Sequence, residues 1–507
     1  MPDNPLAPDW LQRPDDPNAF AAEVWPPSLR REPDGTAAIA GVRVDDLAGR
    51  YGTPLYVLDE DYVRSRAERV RRAFTDAFER VGSTAEVYYA GKAFLSTDIA
   101  RWMTEAGLRI DVASGGELAV ALAAGVDPSR LGFHGNNKSR QELDRAVDVG
   151  VGTVVIDSEQ EIERVAAAAS ARGRVQRVRL RVRTGVHAHT HDFLATAHDD
   201  QKFGVALDDA ERLASVIRSH ESLDFVGLHC HIGSQIFGAD GFAESAARLV
   251  AVHARLLQHG PVPELNLGGG FGIAYTSADR PDRIEDLAQR VAQVLAAECE
   301  RADIPMPIAA FEPGRYIVGP AGITLYTVGT TKPVVLDAAG GTAERLYVSI
   351  DGGMSDNARP SLYGSDYTSR IVGRTSQADA ALVRVAGKHC ESGDIVVYDD
   401  YLPGDVVPGD LLAVAATGAY CWSLSSNYNY LTRPAVVAVA DGRSRVIVRG
   451  ETIDDLLSRD LGAGHVAAES GAAPLRDSDA PGPLARTNGG PSVETGRPRL
   501  NEREEAK

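Results

Sequence analysis

Several features that would identify other classes of protein are scarce or absent in this chain. Its four cysteines are far apart and form no C-x-x-C pair, so a disulfide framework and a cysteine metal site are both poorly supported. No apolar stretch approaches the roughly 18 residues that a membrane-spanning helix needs. The first 31 residues are rich in Pro and Asp and do not resemble a secretory signal. We therefore expect a cytosolic protein.

The chain also has fewer positively charged than negatively charged residues. Lys and Arg number 53 against 71 Asp and Glu, which gives a formal net charge of −18. A body this acidic repels a phosphate backbone, and no run of Lys and Arg offsets the repulsion, so the composition argues against nucleic-acid binding. Hydrophobic residues make up 44% of the 507 residues, which is enough for large cores and for more than one domain.

The central part of the chain, over residues 61–316, alternates between strand-like and helix-like patterns. Eight runs have the composition of strands: Glu86–Ala90, Arg109–Ala113, Leu131–His134, Thr153–Asp157, Val178–Arg183, Phe225–His231, Glu264–Leu267 and Ile308–Glu312. Most intervals between them have helical periodicity. This alternation predicts a closed parallel (β/α)8 barrel of the TIM type. An open doubly wound sheet is the alternative, but no Gly-x-Gly-x-x-Gly follows the first strand.

The pattern changes after residue 316. Over residues 317–460, short β-rich runs are separated by Gly and Pro turns, which predicts an antiparallel β-sandwich or β-barrel domain. We expect residues 36–60 to contribute an early strand, Leu55–Leu58, to this domain. Residues 1–35 are expected to form a flexible arm, and the Ala-, Gly- and Pro-rich residues 461–507 are expected to form a disordered tail.

Each predicted strand ends in a polar or ionisable residue or is followed at once by a polar or glycine residue. In a parallel barrel these ends form the face that carries active sites. Lys92 follows the first strand, and a buried lysine amine can form a Schiff base with an aldehyde. The trio Gly268–Gly270 offers backbone N–H groups to a phosphate, and Glu312 can face a protonated ring nitrogen. An aldehyde, a phosphate and a pyridine nitrogen together predict pyridoxal phosphate as the cofactor.

Ordered motifs carry a family resemblance from about residue 37 to about residue 460. The barrel motifs resemble the alanine-racemase-fold group of decarboxylases: Tyr88–Ala93, Asp111–Glu117, His231–Gln235, Gly268–Gly272 and Glu312–Arg315. The later motifs resemble the diaminopimelate decarboxylase family: Ala358–Tyr363, Cys390–Asp394, Gly418–Tyr420 and Ser425–Asn429.

The resemblance implies individual roles. Lys92 would carry the cofactor, His231 would stack on its ring and Glu312 would bond its pyridinium nitrogen. The other implied cofactor contacts are Asp111, Ser234, Gly268, Gly269, Gly270, Pro313, Gly314, Arg315 and Tyr420. The implied substrate contacts are Arg315, Arg359, Tyr363, Glu391 and Tyr420. Cys390 would be the proton donor and would come from the second subunit of a homodimer.

The implied activity is decarboxylation of meso-2,6-diaminopimelate to lysine. Arg315 and Arg359 suit the distal carboxylate of this substrate, and Glu391 suits its ammonium group. A decarboxylase of another basic amino acid, such as ornithine or arginine, is the first alternative. A racemase would favour an arginine near the ring nitrogen, which Glu312 argues against. A non-catalytic cofactor-binding homologue is a further alternative, and the joint presence of Lys92, Cys390 and Glu391 argues against it.

Three alternating histidines, His187, His189 and His191, follow the fifth predicted strand. Their spacing resembles a metal cluster if the strand continues. Histidines in a polar loop commonly bind nothing, and we expect no metal here.

Overall fold

The computed structural model describes residues 4–186, 202–338 and 340–463. The histidines His187, His189 and His191 lie outside these ranges, as do residues 464–507 of the expected tail. Within the described ranges, no helix combines the length and the apolar composition needed to cross a bilayer. Packing divides the chain into one unit over Met1–Thr452 and a second over Ile453–Lys507.

The N-terminal segment packs closely, although the sequence predicts a loose arm over residues 1–35. Its elements are β1 (Arg30–Arg31), β2 (Ala37–Ile39), β3 (Val42–Arg43), α1 (Val44–Tyr51) and β4 (Leu55–Asp59). Trp25 and Leu29 are buried in a cluster with Ile323 and Leu325. Leu11 packs on Leu382 and Tyr401, farther along the chain. The few apolar side chains of this segment thus pack against residues far along the chain, and composition alone does not predict these contacts.

The barrel follows. In chain order its elements are α2 (Glu60–Glu79), β5 (Ala85–Ala90), α3 (Thr97–Glu105), β6 (Arg109–Val112), α4 (Gly115–Ala123), β7 (Leu131–Phe133), α5 (Arg140–Val149), β8 (Thr153–Ile156), α6 (Glu159–Ser170), β9 (Gln176–Arg183), β10 (Val205–Ala206), α7 (Ala210–Ser219), β11 (Leu223–His229), α8 (Asp240–Leu257), β12 (Glu264–Asn266), α9 (Ile284–Arg301) and β13 (Ile308–Phe311). All of these strands pair in parallel, and β10 is an additional short strand beside β9.

The ring closes where β13 pairs with β5, so the predicted (β/α)8 barrel is confirmed. Local sequence explains where its helices begin. In α5, the Ser139 side chain accepts from the Glu142 backbone and the Glu142 side chain accepts from the Ser139 backbone, which forms a capping box. Helix α2 buries one apolar face, and its Phe74 stacks on Phe311 of β13 with ring centroids 4.0 Å apart.

The second domain is mostly antiparallel, as predicted. Its elements are α10 (Arg315–Val318), β14 (Gly322–Ala338), β15 (Gly341–Ile350), α11 (Arg359–Tyr363), β16 (Ser369–Ile371), β17 (Ala380–Ala386), β18 (Ile395–Pro403), β19 (Leu411–Val414), β20 (Val436–Ala440) and β21 (Arg443–Val448). The main path of the sheet runs β18-β17-β15-β14-β4-β20-β21. Strand β4, from the segment expected to join this domain, therefore lies between β14 and β20. In the second packing unit, α12 spans Ile453–Leu457.

Segments of the β domain reach the carboxyl ends of the barrel strands. The backbone N–H of Tyr420 donates to the carbonyl of Ala93, 2.8 Å away, just after β5. Within the β domain, a Cβ on Gly418 would lie only 1.9 Å from the carbonyl oxygen of Val318, so glycine is required where this loop passes α10. The bond between Tyr420 and Ala93 places this loop over the barrel face where the predicted site residues lie.

Candidate active site

A cavity of about 370 Å³ opens at the carboxyl ends of the barrel strands. This volume is in the range of small-molecule sites. The predicted site residues that line it are Lys92, His231, Ser234, Gly270, Glu312, Gly314, Arg315, Arg359, Tyr363 and Tyr420. A smaller cavity of about 140 Å³ adds Asp111 and is also lined by Lys92, His231 and Glu312. Residues far apart in sequence thus converge on one region.

Lys92 lies on the short turn Gly91–Ala93 that follows β5. Ala90 and Gly91 at the strand end are buried, and the Lys92 side chain is exposed toward the two cavities that it lines. The β domain holds this turn, since Ser423 Oγ and the Tyr420 backbone N–H both donate to the Ala93 carbonyl.

The glycine trio lies between two neighbouring strand ends. A Cβ on Gly269 would lie 2.2 Å from the Glu312 carbonyl oxygen, and one on Gly270 would lie 2.4 Å from the Gly233 carbonyl oxygen. Gly268 and Gly270 also have φ values of 70° and 110°, in the region that favours glycine. Only glycine fits this strand-to-loop turn without a shift of the surrounding backbone.

The N–H groups of the trio differ from the expectation. The Gly268 N–H donates to Asn266 Oδ1 at 2.8 Å, and the Gly269 N–H donates to His231 Nδ1 at 3.2 Å. Protein side chains therefore already engage two of the three groups that the sequence predicts to face a phosphate. The second bond also fixes the His231 ring against the glycine turn.

A cluster of polar side chains surrounds Glu312 just after β13. Asn266 Nδ2 donates to Glu312 Oε1 at 2.8 Å, and His229 Nε2 lies 2.9 Å from the same oxygen. His134 Nε2 lies 3.6 Å from Glu312 Oε1 and 3.1 Å from Asp111 Oδ1. The cluster unites residues from the ends of β6, β7, β11, β12 and β13.

Burial shifts the pKa values of the titratable side chains in this cluster. It lowers the pKa of both His134 and His229 to about 4, so both imidazoles are uncharged at neutral pH. Burial also raises the pKa of Asp111 well above its usual range, and the nearby Glu312 charge adds to the rise. Burial alone would raise the pKa of Glu312, but its histidine neighbours outweigh burial and hold that pKa well below its usual range. The pKa values of these two carboxyl groups are thus shifted in opposite directions, which favours the neutral form of Asp111 and the ionised form of Glu312.

Sequence reasoning missed part of this cluster. It identified Asp111 and Glu312 but gave no role to His134, His229 or Asn266. A usable signal was the alternation of His229 and His231, because period-two spacing puts both side chains on one side of an extended segment.

Two buried arginines also line the cavity, and we call this part of it the arginine end. Arg359 is 2% exposed, and its Nη1 donates to Tyr367 Oη at 2.7 Å. Arg315 donates through Nη1 to Tyr275 Oη and through Nη2 to Ser234 Oγ, the latter at 2.8 Å. Within the described part of the chain, neither guanidinium forms an ion pair with a carboxylate. Hydroxyl oxygens and aromatic rings, rather than carboxylates, contact these two cations.

Two predicted site residues lie away from the cavity of their own chain. Cys390 and Glu391 are exposed on the loop between β17 and β18. The same chain holds the base of this loop, because His389 Nε2 lies 2.9 Å from Ser355 Oγ and Asp394 Oδ1 accepts from the Met354 N–H at 2.6 Å. The loop is therefore anchored at its base, with its tip on the surface.

Comparisons with known proteins agree with one another. A family model described as pyridoxal-dependent decarboxylase, pyridoxal binding domain, matches residues 63–319. A diaminopimelate decarboxylase of Mycobacterium leprae is 50% identical over 462 residues, which cover 90% of this chain and 96% of that protein. A diaminopimelate decarboxylase of Corynebacterium efficiens is 45% identical over 451 residues, with 88% and 95% covered. The crystal structure of the M. jannaschii diaminopimelate decarboxylase with L-lysine has a TM-score of 0.77 and 30% identity, with 86% and 98% covered.

Proposed function

The chain belongs to the diaminopimelate decarboxylase family of pyridoxal-dependent decarboxylases, and we propose that it converts meso-2,6-diaminopimelate to L-lysine and carbon dioxide. One observation carries the choice of substrate. Arg315 and Arg359, two buried cations without an anionic partner in the described chain, line the same cavity as Lys92 and Glu312. A reactive amine and a carboxylate at one end thus accompany an anion-binding pair at the other.

Lys92, Glu312 and Gly270, which we call the barrel end of the cavity, fit pyridoxal phosphate. Lys92 supplies an amine for the aldehyde, and Glu312 supplies an ionised carboxyl group for the ring nitrogen. The Gly270 N–H has no acceptor within the described chain and lies near Ser234 and Gly314 on the cavity wall, which suits a phosphate. When bound, the cofactor supplies an electron sink for the bond that breaks between Cα and the carboxylate.

The protein side chains have distinct tasks in this proposal. Glu312 holds a proton on the ring nitrogen, because an ionised carboxylate stabilises the charged ring. Asn266 and His229 keep the Glu312 oxygen in place through contacts of 2.8 and 2.9 Å. His231, with its ring fixed by the Gly269 N–H, supports one face of the cofactor.

Substrate selection depends on the distal amino-acid head. Arg315 and Arg359 bind the distal carboxylate, which the reaction leaves intact and which lysine retains. L-Lysine is bound in the solved M. jannaschii relative, which is consistent with a site that accepts this head. Ornithine and arginine lack a second carboxylate and would leave both guanidinium groups buried and unpaired, which is costly.

The proposal includes a homodimer. Cys390 and Glu391 are exposed, and the exposed apolar side chains of Leu362, Tyr428 and Tyr430 lie on segments near the cavity mouth or the Cys390 loop. We propose that this loop enters the partner's cavity, where the Cys390 thiol protonates Cα and Glu391 binds the distal ammonium. This arrangement gives a function to an anchored loop whose tip does not reach its own site.

A carbon dioxide release assay tests the function. With added pyridoxal phosphate, the purified protein should release carbon dioxide from meso-diaminopimelate, with far lower rates for ornithine and arginine. Equal or higher rates with ornithine or arginine would favour the other basic amino-acid decarboxylases. The visible absorbance of bound cofactor without carbon dioxide from any of the three substrates would favour the non-catalytic homologue.

A further inference from the structure

Tyr275 contacts both cavity arginines and lies outside the motifs on which the family resemblance rests. It lies on the loop between β12 and α9 and is 5% exposed. Its hydroxyl accepts from Arg315 Nη1. Its ring centroid lies 4.7 Å from Arg359 Cζ and 5.7 Å from Arg315 Cζ. One side chain therefore bonds one cation and lies within cation–π range of both.

The structure holds Tyr275 from two sides. Its backbone N–H donates to Asp279 Oδ2 at 2.9 Å, within the same barrel loop. Its carbonyl accepts from Thr368 Oγ1 at 2.9 Å, in the β domain. Its ring meets Tyr367, the hydrogen-bond partner of Arg359, edge to face with centroids 5.0 Å apart. The contacts join the barrel and the β domain around the two arginines.

The chemistry of these contacts leaves the positive charges available. A carboxylate at the position of Tyr275 would orient the arginines but would also neutralise them. A phenol oxygen and an aromatic face orient a guanidinium while remaining uncharged at neutral pH. Arg315 has five N–H donors, and Tyr275 and Ser234 accept from two of them, so three remain for a ligand.

We propose that Tyr275 is a positioning residue that sets the spacing and orientation of Arg315 and Arg359 so that both bind one substrate carboxylate. The inference rests on the proposed function for the identity of that carboxylate. It predicts that loss of Tyr275 weakens binding of the substrate carboxylate and leaves cofactor binding at the barrel end unchanged.

The test compares two ligands of the holoenzyme, L-lysine and 1,5-diaminopentane, which differ by one carboxylate. The wild-type protein should bind lysine more tightly than the diamine. Tyr275→Phe keeps the ring and removes the hydroxyl, and should weaken lysine binding and raise KM for meso-diaminopimelate about tenfold. Tyr275→Leu also removes the aromatic face and should weaken both further. Diamine affinity, kcat and the visible absorbance of bound cofactor should change by less than about twofold in Tyr275→Phe.

Tyr51→Phe is the matched control, because the Tyr51 hydroxyl contacts Ser444 outside the cavity. It should leave both affinities and KM unchanged. Equal losses for lysine and the diamine in Tyr275→Phe, or unchanged lysine binding in both Tyr275 variants, would overturn the inference. If the wild-type protein itself does not prefer lysine to the diamine, the proposed carboxylate subsite fails, and this outcome is distinct from a failure of Tyr275 alone.

Discussion

The barrel end and the arginine end of the cavity differ in the partners that the protein supplies to their charged groups. At the barrel end, Glu312 meets an amide and an imidazole of its own chain at 2.8 and 2.9 Å, and the adjacent Asp111 has a raised pKa that favours its neutral form. At the other end, Arg315 and Arg359 meet only hydroxyl groups and aromatic rings. The first end presents the Glu312 carboxylate with its supports already in place. The second end carries two positive charges without an anion from the described chain.

This difference indicates what each end is built to bind. A preorganised carboxylate suits a group that stays in place through every turnover, and the cofactor is such a group. Unpaired buried cations are costly in the free protein, and a ligand carboxylate relieves that cost when it binds. The unpaired arginines therefore lower the stability of the free protein but allow it to bind an anion selectively, a trade-off that is common at functional sites.

The largest expected effect is at the barrel end. Lys92→Ala should abolish carbon dioxide release and the visible absorbance of bound cofactor, because no other lysine among the described residues lines either cavity. Absorption spectra of the dialysed variant measure this directly. A visible band equal to that of the wild-type protein would refute Lys92 as the anchor.

The next effect separates stability from function at the arginine end. Arg359→Met replaces an unpaired buried cation with an apolar side chain of similar length. We expect kcat/KM for meso-diaminopimelate to fall about a hundredfold or more, because a charge-assisted bond is lost in a buried site. The free energy of unfolding in urea should rise by about 1 kcal/mol, since the cost of an unpaired charge disappears.

The control for this variant is Arg374→Met. Arg374 forms ion pairs with Asp405 and Asp410 outside the cavity. Its loss should not alter kcat/KM and should not increase stability. A strong loss of stability in Arg359→Met would contradict the contrast between the two ends.

A comparable effect is expected at the proposed proton donor. Cys390→Ala should lower kcat by about 10²-fold to 10⁴-fold, the usual range for loss of a general acid, and leave bound cofactor unchanged. Mixing Cys390→Ala with Lys92→Ala subunits should recover activity if the loop enters the partner's cavity, because some mixed dimers then contain one intact site. Full activity of Cys390→Ala alone would remove it as the acid, and no recovery on mixing would argue against a shared site.

Much of the barrel could be predicted because its pattern is local and repeated. The predicted runs at Arg109, Thr153 and Glu264 begin where β6, β8 and β12 begin. The barrel topology then assigns each strand end to a common face, so Lys92 and Glu312 could be grouped without coordinates. Helix α3 was not predicted, although Ser96 before it is a favourable cap and accepts from the Ile99 N–H.

The remaining features depend on contacts between distant segments. His134, His229 and Asn266 meet Glu312 only because β7, β11, β12 and β13 end at the same face of the closed barrel. Tyr275 meets Arg359 across two domains, and Trp25 is buried by strands some three hundred residues away along the chain. Periodicity gives no information on such pairings, since each requires the tertiary register of separate elements.

The last expected effect concerns acid at the barrel end and is measured as stability rather than activity. His229 has a pKa near 4 in the folded protein against an ordinary value near 6.5, so the unfolded chain binds more protons between these pH values. Stability should therefore fall as pH decreases from about 6.5 to about 4, by up to about 3 kcal/mol for this histidine. His229→Asn should make the loss shallower when urea unfolding is measured at pH 7 and pH 4.5.

His253 provides the comparison that sharpens this result. It is buried within α8, and burial lowers its pKa to about 4 as well. His253→Asn should flatten the pH dependence by a similar amount without changing cofactor affinity at pH 7, whereas His229→Asn should also weaken cofactor binding because Glu312 loses a partner 2.9 Å away. Arg359→Met should leave the pH dependence unaltered, since arginine stays protonated throughout this range. Unchanged cofactor affinity in His229→Asn would show that the support of Glu312 does not depend on this imidazole, and the contrast between the two ends would then rest on Asn266 and His134.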